Sequence, residues 1–176
     1  MFEQRELGFI YKYFIAEKQE SLLFVILGLA AVMLGILFLV FIKSNPVFYK
    51  GAAIPLLALG IIQCVAGFTV FSRTDRQMKD VAYNMGMEPK LFANQLELPR
   101  MKKVMKSFVI YRWMEIAFII TGLVLIFLFR TNPDRAFWYG LGITFAIQAV
   151  LMLGADYFAE KRGGVYTEEL KKISGN

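Results

Sequence analysis

Residues 21–43 read SLLFVILGLAAVMLGILFLVFIK, with a single charge, Lys43, at the last position. A run of about 20 apolar residues is long enough to cross the hydrocarbon core of a bilayer as a helix. Three further apolar segments follow, at residues 47–71, 108–130 and 136–157. The 176-residue chain is therefore predicted to be an all-α integral membrane protein, a four-transmembrane-helix bundle made of two in-out-in hairpins.

The remaining residues divide the chain further. Polar residues precede the first segment, whose apolar run is too long for a cleaved signal peptide, so we expect it to be retained. The predicted organisation is an amphipathic N-terminal helix (1–20), a transmembrane hairpin (21–71), an amphipathic linker (72–107), a second hairpin (108–158) and a polar tail (159–176). Within the tail, a Gly-Gly pair at residues 163–164 predicts a hinge.

The distribution of lysine and arginine indicates the orientation of the chain. Sixteen of these 20 residues lie in the N-terminal stretch, the central stretch and the tail, and four lie in the two short turns. Both termini and the linker are therefore predicted to be cytoplasmic, in a multi-pass protein of the cytoplasmic (inner) membrane. This bias also accounts for the net charge of +6, so nucleic-acid binding is not expected.

The composition argues against catalysis. The chain has no histidine and one cysteine, Cys64, which excludes a disulfide framework, a Cys/His zinc site and a Cys-His nucleophile pair. It also lacks a phosphate-binding glycine loop, a serine elbow and a carboxylate pair at catalytic spacing. We therefore expect no enzyme activity, no cofactor and no metal.

The two hairpins resemble each other in sequence. KSNP at residues 43–46 recurs as RTNP at residues 130–133, and IQ at residues 62–63 recurs at residues 147–148. Because both hairpins run in the same direction, these matches predict a duplication that produced a parallel repeat. The alternative is that Asn-Pro is ordinary turn chemistry and that the short matches arose by chance.

Three of the four segments carry small residues at helical spacing, which is typical of close packing between membrane helices. Pro55 lies inside the second segment and predicts a kink there. The small residues are Gly28, Ala31 and Gly35, then Gly60, Cys64 and Gly67, then Gly142, Ala146 and Ala149.

Glu115 is the one strong candidate for a functional ionisable group inside a span. Only 14 charge-free residues follow it before Arg130, which is about 21 Å of helix and less than the hydrocarbon thickness. Arg112 lies three residues earlier on the same helical face and is the expected partner. The alternative is a carboxylate that responds to protons or cations.

Gln63 and Gln148 are the other polar side chains near the middle of the spans, with Thr144 one turn from Gln148. An amide in hydrocarbon needs a partner, so these residues are predicted to join the two hairpins by hydrogen bonds. The alternative is a small polar site that they form together with Glu115. Asp156, at the end of the last span, is expected to face water.

Three amphipathic faces are predicted outside the membrane. They suit either the anionic lipids of the inner leaflet or the groove of a partner protein. The first face comprises Leu7, Ile10, Tyr11 and Phe14, the second Met78, Val81, Ala82 and Met85, and the third Met101, Val104, Met105 and Phe108, opposed by Lys102, Lys103 and Lys106.

Two functions are consistent with these features. The first is a non-catalytic membrane protein that binds another protein, as an accessory subunit or as an immunity protein against a membrane-targeting toxin. The second is a small oligomeric channel or transporter subunit that uses Glu115, Gln63 and Gln148. Membrane lipids and a protein partner, or further copies of the chain, are the expected partners.

Overall fold

The computed structural model describes residues 7–175, in which every regular element is helical. Four long helices, α1 (Gly8–Val40), α2 (Pro46–Met87), α4 (Leu98–Phe129) and α5 (Ala136–Ser174), follow the four apolar segments. A short helix, α3 (Pro89–Phe92), and a π-helical turn (Ala93–Glu97) connect α2 to α4, and a 3₁₀ turn (Pro133–Arg135) precedes α5. Each long helix is apolar enough to cross a membrane, so the predicted all-α four-helix fold is confirmed.

The helices are longer than a membrane requires. α2 has 42 residues, which corresponds to about 63 Å at 1.5 Å per residue, twice the roughly 30 Å hydrocarbon core. It continues through Pro55 without interruption. We call the helical parts outside the apolar segments, residues 7–20, 72–107 and 158–175, the head. The head lies on the side that the charge distribution predicts to be cytoplasmic.

The expected hinge at residues 163–164 is wrong, because α5 continues as one helix to Ser174. Gly163 is buried in the head, where a Cβ would lie 3.0 Å from Met105 Sδ. Tyr166 and Leu170, the next residues on this face, are also buried. Packing on one face therefore holds this segment in a helix even though glycine has a poor helix propensity.

The spans form a row in the order α1, α2, α5, α4. In the first hairpin α1 and α2 are antiparallel and approach closely at Gly28 and Gly67, where a Cβ would lie 2.7 Å from the carbonyl oxygens of Gly60 and Ser21, respectively. In the second hairpin Gly122 of α4 meets Gly142 and Ala146 of α5 in the same way. The predicted small-residue seams thus hold each hairpin together.

α2 and α5 are parallel and form the centre of the row. A Cβ on Gly51 would collide with the backbone of Phe137, and a Cβ on Gly140 would collide with the backbone of Phe48. These contacts are reciprocal because FYKG (48–51) and FWYG (137–140) are a third match between the hairpins, one that the sequence analysis missed. Reciprocal contacts are what a two-fold axis between α2 and α5 produces, so they support the predicted duplication.

An asparagine ends the turn before α2 and the turn before α5, in a left-handed conformation at Asn45 and an extended one at Asn132. The Asn45 side chain accepts a hydrogen bond from Phe48 N at 3.4 Å, and the Asn132 side chain accepts one from Asp134 N at 3.1 Å. Each asparagine therefore caps the helical segment that follows it, and the proline after it needs no backbone partner. Asn45 has φ 46°, in the left-handed region that asparagine tolerates better than most residues.

The head has its own hydrophobic core, to which all four long helices contribute. Its fully buried side chains come from α1, α2, the π-helical turn, α4 and the end of α5. They include Ile10, Phe14, Met85, Ala93, Met101, Tyr166 and Leu170. The linker and the tail are therefore parts of one packed unit rather than separate segments.

Candidate functional site

Gln63 and Gln148 meet at the interface between α2 and α5. Gln148 Nε2 donates a 2.5 Å hydrogen bond to Gln63 Oε1, and the two side chains are only 4% and 1% exposed. Thr144 does not join them, because its hydroxyl donates to the Gly140 carbonyl at 3.2 Å. The amide pair therefore links the hairpins, as the first of the two interpretations expects.

Glu115 lies elsewhere in the bundle. It is only 2% exposed and faces Asp156 on α5, which stands eight residues, or about 12 Å of helix, beyond Gln148. The structure therefore does not assemble Glu115 and the glutamines into one polar site. Asp156 is half-buried beside this carboxyl group rather than free in water, which corrects that expectation.

The expected ion pair between Arg112 and Glu115 is also wrong. Arg112 Nη2 lies 2.7 Å from Glu160 Oε1 on α5, whereas the Glu115 carboxyl group lies against the carboxyl group of Asp156. Arg112 reaches Glu160 because α5 packs against α4. Glu115 is thus a buried carboxyl group whose nearest ionisable neighbour is another carboxyl group.

A groove of about 460 Å³ lies beside this acidic pair, between α4 and α5 at the end of the spans nearest the head. Its walls are mainly apolar, and Asp156, Glu160 and Arg112 also line it. Cavities of this size accommodate small organic ligands. The apolar and aromatic wall residues include Phe108, Ile116, Leu153, Tyr157 and Phe158.

The head contains a buried polar network centred on Glu97, which the sequence analysis did not identify. Glu97 is 2% exposed and accepts two hydrogen bonds from Arg100, at 2.6 and 2.9 Å, and one from the Tyr166 hydroxyl at 2.7 Å. Glu97 is the last residue of the π-helical turn, a type of irregularity that often occurs at functional sites. Here it aims the carboxylate into the head core, where it joins the turn to α4 and α5.

Two stacked tyrosines extend this network to α1. The rings of Tyr13 and Tyr166 are 4.1 Å apart at 15°, and the Tyr13 hydroxyl lies 3.4 Å from Glu17 Oε1. Burial, assisted by the negative charge of Glu17, raises the pKa of Tyr13 to about 12. Burial also raises the pKa of Tyr166, and the charge of Glu97 raises it further. Both hydroxyls therefore stay neutral donors at physiological pH, and the network is structural.

The predicted lipid- or partner-facing methionine surface needs correction. Val81, Met85 and Met101 are at most 4% exposed and lie in the head core, and Met78 and Met105 are half-buried. Lys102, Lys103 and Lys106 are exposed, as an amphipathic helix requires. An amphipathic pattern identifies the face that leaves water but not what covers it, and here other helices of the same chain cover it.

The head also exposes apolar side chains, among them Ile15, Phe158 and Val165 and a group near the end of α2. Tyr83 and Met87 are 69% and 68% exposed, one turn apart on the face of α2 opposite Met85. Leu91 of α3 and Leu96 of the π-helical turn are 52% and 59% exposed. We call these four residues the tip. The i, i+4 spacing of Tyr83 and Met87 was the sequence signal that could have identified this surface. The stronger apolar pattern on the opposite face of α2 obscured it.

The four apolar helices are those of a polytopic membrane protein, and their extensions pack into one helical head. Among residues 7–175, no three histidine, cysteine, aspartate or glutamate residues are grouped so that they could hold a metal ion. Comparison with protein-family models, with curated proteins and with solved structures finds no match to the chain.

Proposed function

We propose that this protein is a non-catalytic membrane protein that binds another protein at the cytoplasmic face of the membrane. In this role it is an accessory subunit or an immunity protein against a membrane-targeting toxin. The observation that carries the proposal is the tip, four large apolar side chains exposed on a head that has a hydrophobic core of its own. Exposed apolar patches on soluble surfaces mark sites of protein interaction.

The distance of the tip from the membrane favours a protein partner over lipid. The second apolar segment ends at residue 71, so Tyr83 and Met87 lie about 18 and 24 Å further along α2. The headgroup layer adds only about 5–7 Å to each side of the hydrocarbon core. The tip therefore extends beyond the lipid headgroups, where an apolar side chain contacts either water or another protein.

The charges near the tip are of both signs. Lys79 and Lys90 are exposed there, and so are Asp80 and Glu88. An apolar centre with a charged rim of both signs is the usual composition of a protein interface.

The test is isolation of the tagged, full-length protein from its native membranes in mild detergent, followed by identification of co-purifying proteins. We expect a stoichiometric partner with the wild type and with Met87→Leu, which keeps the apolar surface. Met87→Asp should lose that partner while the head stays folded, since Met87 is exposed. Purification as a lone homo-oligomer, or full retention of the partner by Met87→Asp, would overturn the proposal.

A second candidate function is a channel or transporter subunit. It is favoured by one observation, the buried Glu115 carboxyl group beside Asp156, since ionisable groups inside membrane spans commonly mark ion pathways. Gln63 and Gln148 would contribute by fixing the two hairpins together. This function requires that Glu115→Gln change ion flux in proteoliposomes, and an unchanged flux would remove the candidate.

A further inference from the structure

The two repeated turns meet around one cavity at the end of the bundle opposite the head. Its volume is about 440 Å³, and both copies of the repeated motif, KSNP and RTNP, contribute to its walls. The turns converge because α2 and α5 pack side by side and each of these helices follows its own Asn-Pro turn. The polar part of the wall consists of Ser44, Asn45, Arg130, Thr131 and Asn132.

This polar wall presents hydrogen-bond donors to the cavity. The side-chain oxygens of Asn45 and Asn132 accept backbone N–H groups, so each amide keeps its NH₂ group for another partner. The hydroxyl groups of Ser44 and Thr131 make no hydrogen bond with any residue from 7 to 175 and can also donate. Convergent donors of this kind fit the oxygen atoms of a phosphate group.

The charge at this end of the bundle is positive and is not balanced by acids. Arg130 lines the cavity and forms no ion pair within the described chain. Asp134 is the one acid among residues 43–50 and 130–139, and it does not line the cavity. Three more exposed cations surround the cavity at the same level, Lys43, Lys50 and Arg135. The cavity therefore suits a ligand with a negative charge.

The position of the cavity favours a lipid as the source of that charge. The apolar segments end at residues 43 and 130 and begin again at residues 47 and 136, so the cavity lies at the level of the phospholipid headgroups. Its apolar wall is aromatic, as is typical of this level of a bilayer, and includes Phe48, Tyr49, Phe129 and Tyr139. A phospholipid can place its phosphate against the donors and its glycerol against the rings, whereas a free anion uses only the donors.

We propose that this cavity binds the headgroup of an anionic phospholipid. Arg130 is the ionic partner of the phosphate, and the hydroxyl and amide groups of the two motifs are its hydrogen-bond donors. The bound lipid bridges the turns of the two hairpins. The site lies at the opposite end of the spans from the tip, so it does not depend on the proposed protein partner.

The two tryptophans of the chain provide the test, because Trp138 lies beside the cavity and Trp113 lies near the head. The Trp138 ring is 6.4 Å from the ring of Phe129, which lines the cavity. Trp113→Phe therefore leaves a single fluorophore that reports on the cavity in the full-length protein. Lipids brominated on their acyl chains quench this fluorescence when they lie beside Trp138. In mixed bilayers we expect Trp138 to select brominated phosphatidylglycerol over brominated phosphatidylcholine by about fivefold.

Two arginines of one turn separate specific binding from a general attraction of charge. In the Trp113→Phe background, Arg130→Gln should abolish the preference for phosphatidylglycerol. Arg135→Gln is the matched control, because it removes the same charge from an exposed position that does not line the cavity, and it should keep the preference. Thr131→Val, which preserves the shape of the side chain, should weaken the preference by removing one donor. The thermal unfolding midpoint of each variant shows that the change does not reflect unfolding.

Three results would overturn the proposal. The first is equal quenching of Trp138 by the two brominated lipids, and the second is an equal loss of preference in Arg130→Gln and Arg135→Gln. The third is loss of the preference when inorganic phosphate is added at constant ionic strength, since the cavity would then bind free phosphate and not a lipid. We expect added phosphate to leave the preference unchanged.

Discussion

Gln148 donates a hydrogen bond to Gln63 across the interface of α2 and α5, joining two residues that lie 85 positions apart at corresponding places in the two hairpins. Both side chains are almost completely buried. Because α1 packs chiefly on α2 and α4 chiefly on α5, this interface holds the two hairpins together within the membrane. The amide pair is its polar centre, and the reciprocal contacts of Gly51 and Gly140 lie nearer the turns.

Replacing one glutamine of the pair should therefore cost more than replacing both. Gln63→Leu or Gln148→Leu leaves the other amide without a partner, and we expect each to lower the free energy of unfolding by about 0.6–2 kcal/mol. The double variant removes both polar groups and should cost less than the sum of the single effects. Unfolding of the three variants in mixed micelles measures this coupling, and strictly additive effects would argue against the hydrogen bond.

The close backbone approach of α2 and α5 at Gly140 predicts that two glycines of α5 respond differently to substitution by alanine. At Gly140 a Cβ would collide with the Phe48 carbonyl, so Gly140→Ala should destabilise the protein by about 1–3 kcal/mol. At Gly154 a Cβ would meet no atom within 4 Å, so Gly154→Ala is the matched control. It should leave the stability unchanged or raise it slightly, because alanine is the better helix former. Equal thermal midpoints for the two variants would contradict the close approach.

The sequence was sufficient to predict the spans because their signal is local. About 20 consecutive apolar residues, as in 21–43, identify a membrane helix without any knowledge of its neighbours. The order of the helices in the row was not predictable in this way. It depends on Gly51 and Gly140, whose role becomes visible only when Phe137 and Phe48 are placed beside them.

The sites were less predictable because they depend on contacts between distant parts of the chain. Sequence spacing suggested Arg112 as the ion-pair partner of Glu115, but Arg112 binds Glu160, which is 48 residues away in the sequence. The periodic face of Met85 and Met101 was identified correctly as apolar, but its cover comes from Ile10 and Leu170 of the same chain. Periodicity describes one helix at a time and carries no information about which helix lies opposite.

The head should lose stability in strongly alkaline solution. The pKa of Tyr13 is raised by burial from 10 to about 12 in the folded protein, and burial also raises that of Tyr166. The folded state therefore holds these protons more tightly than the unfolded state, so stability is complete below pH 10 and is lost as the pH rises towards 12. Tyrosinate absorbance should show that two of the eight tyrosines ionise only at the pH at which the head unfolds.

Phenylalanine variants test the assignment of this alkaline transition. Tyr13→Phe should remove part of the stability loss between pH 10 and 12, because the variant has no proton to release at that position. Tyr83→Phe is the control, since Tyr83 is exposed on the same head. An alkaline transition that is identical in both variants would show that Tyr13 is not responsible.

The pairing of Arg112 with Glu160 and not with Glu115 predicts opposite effects of two similar substitutions on stability. Glu160→Gln should lower the free energy of unfolding by about 0.5–1 kcal/mol, a small cost because the Arg112 side chain is 43% exposed. Glu115→Gln should raise it instead, because the amide removes the repulsion between two neighbouring carboxyl groups and is a permanent hydrogen-bond donor to Asp156. Thermal unfolding of the two variants and of Arg112→Gln decides between the pairings. If Glu115→Gln and Arg112→Gln destabilised the protein equally and their double variant cost no more, then Glu115 would be the true partner of Arg112.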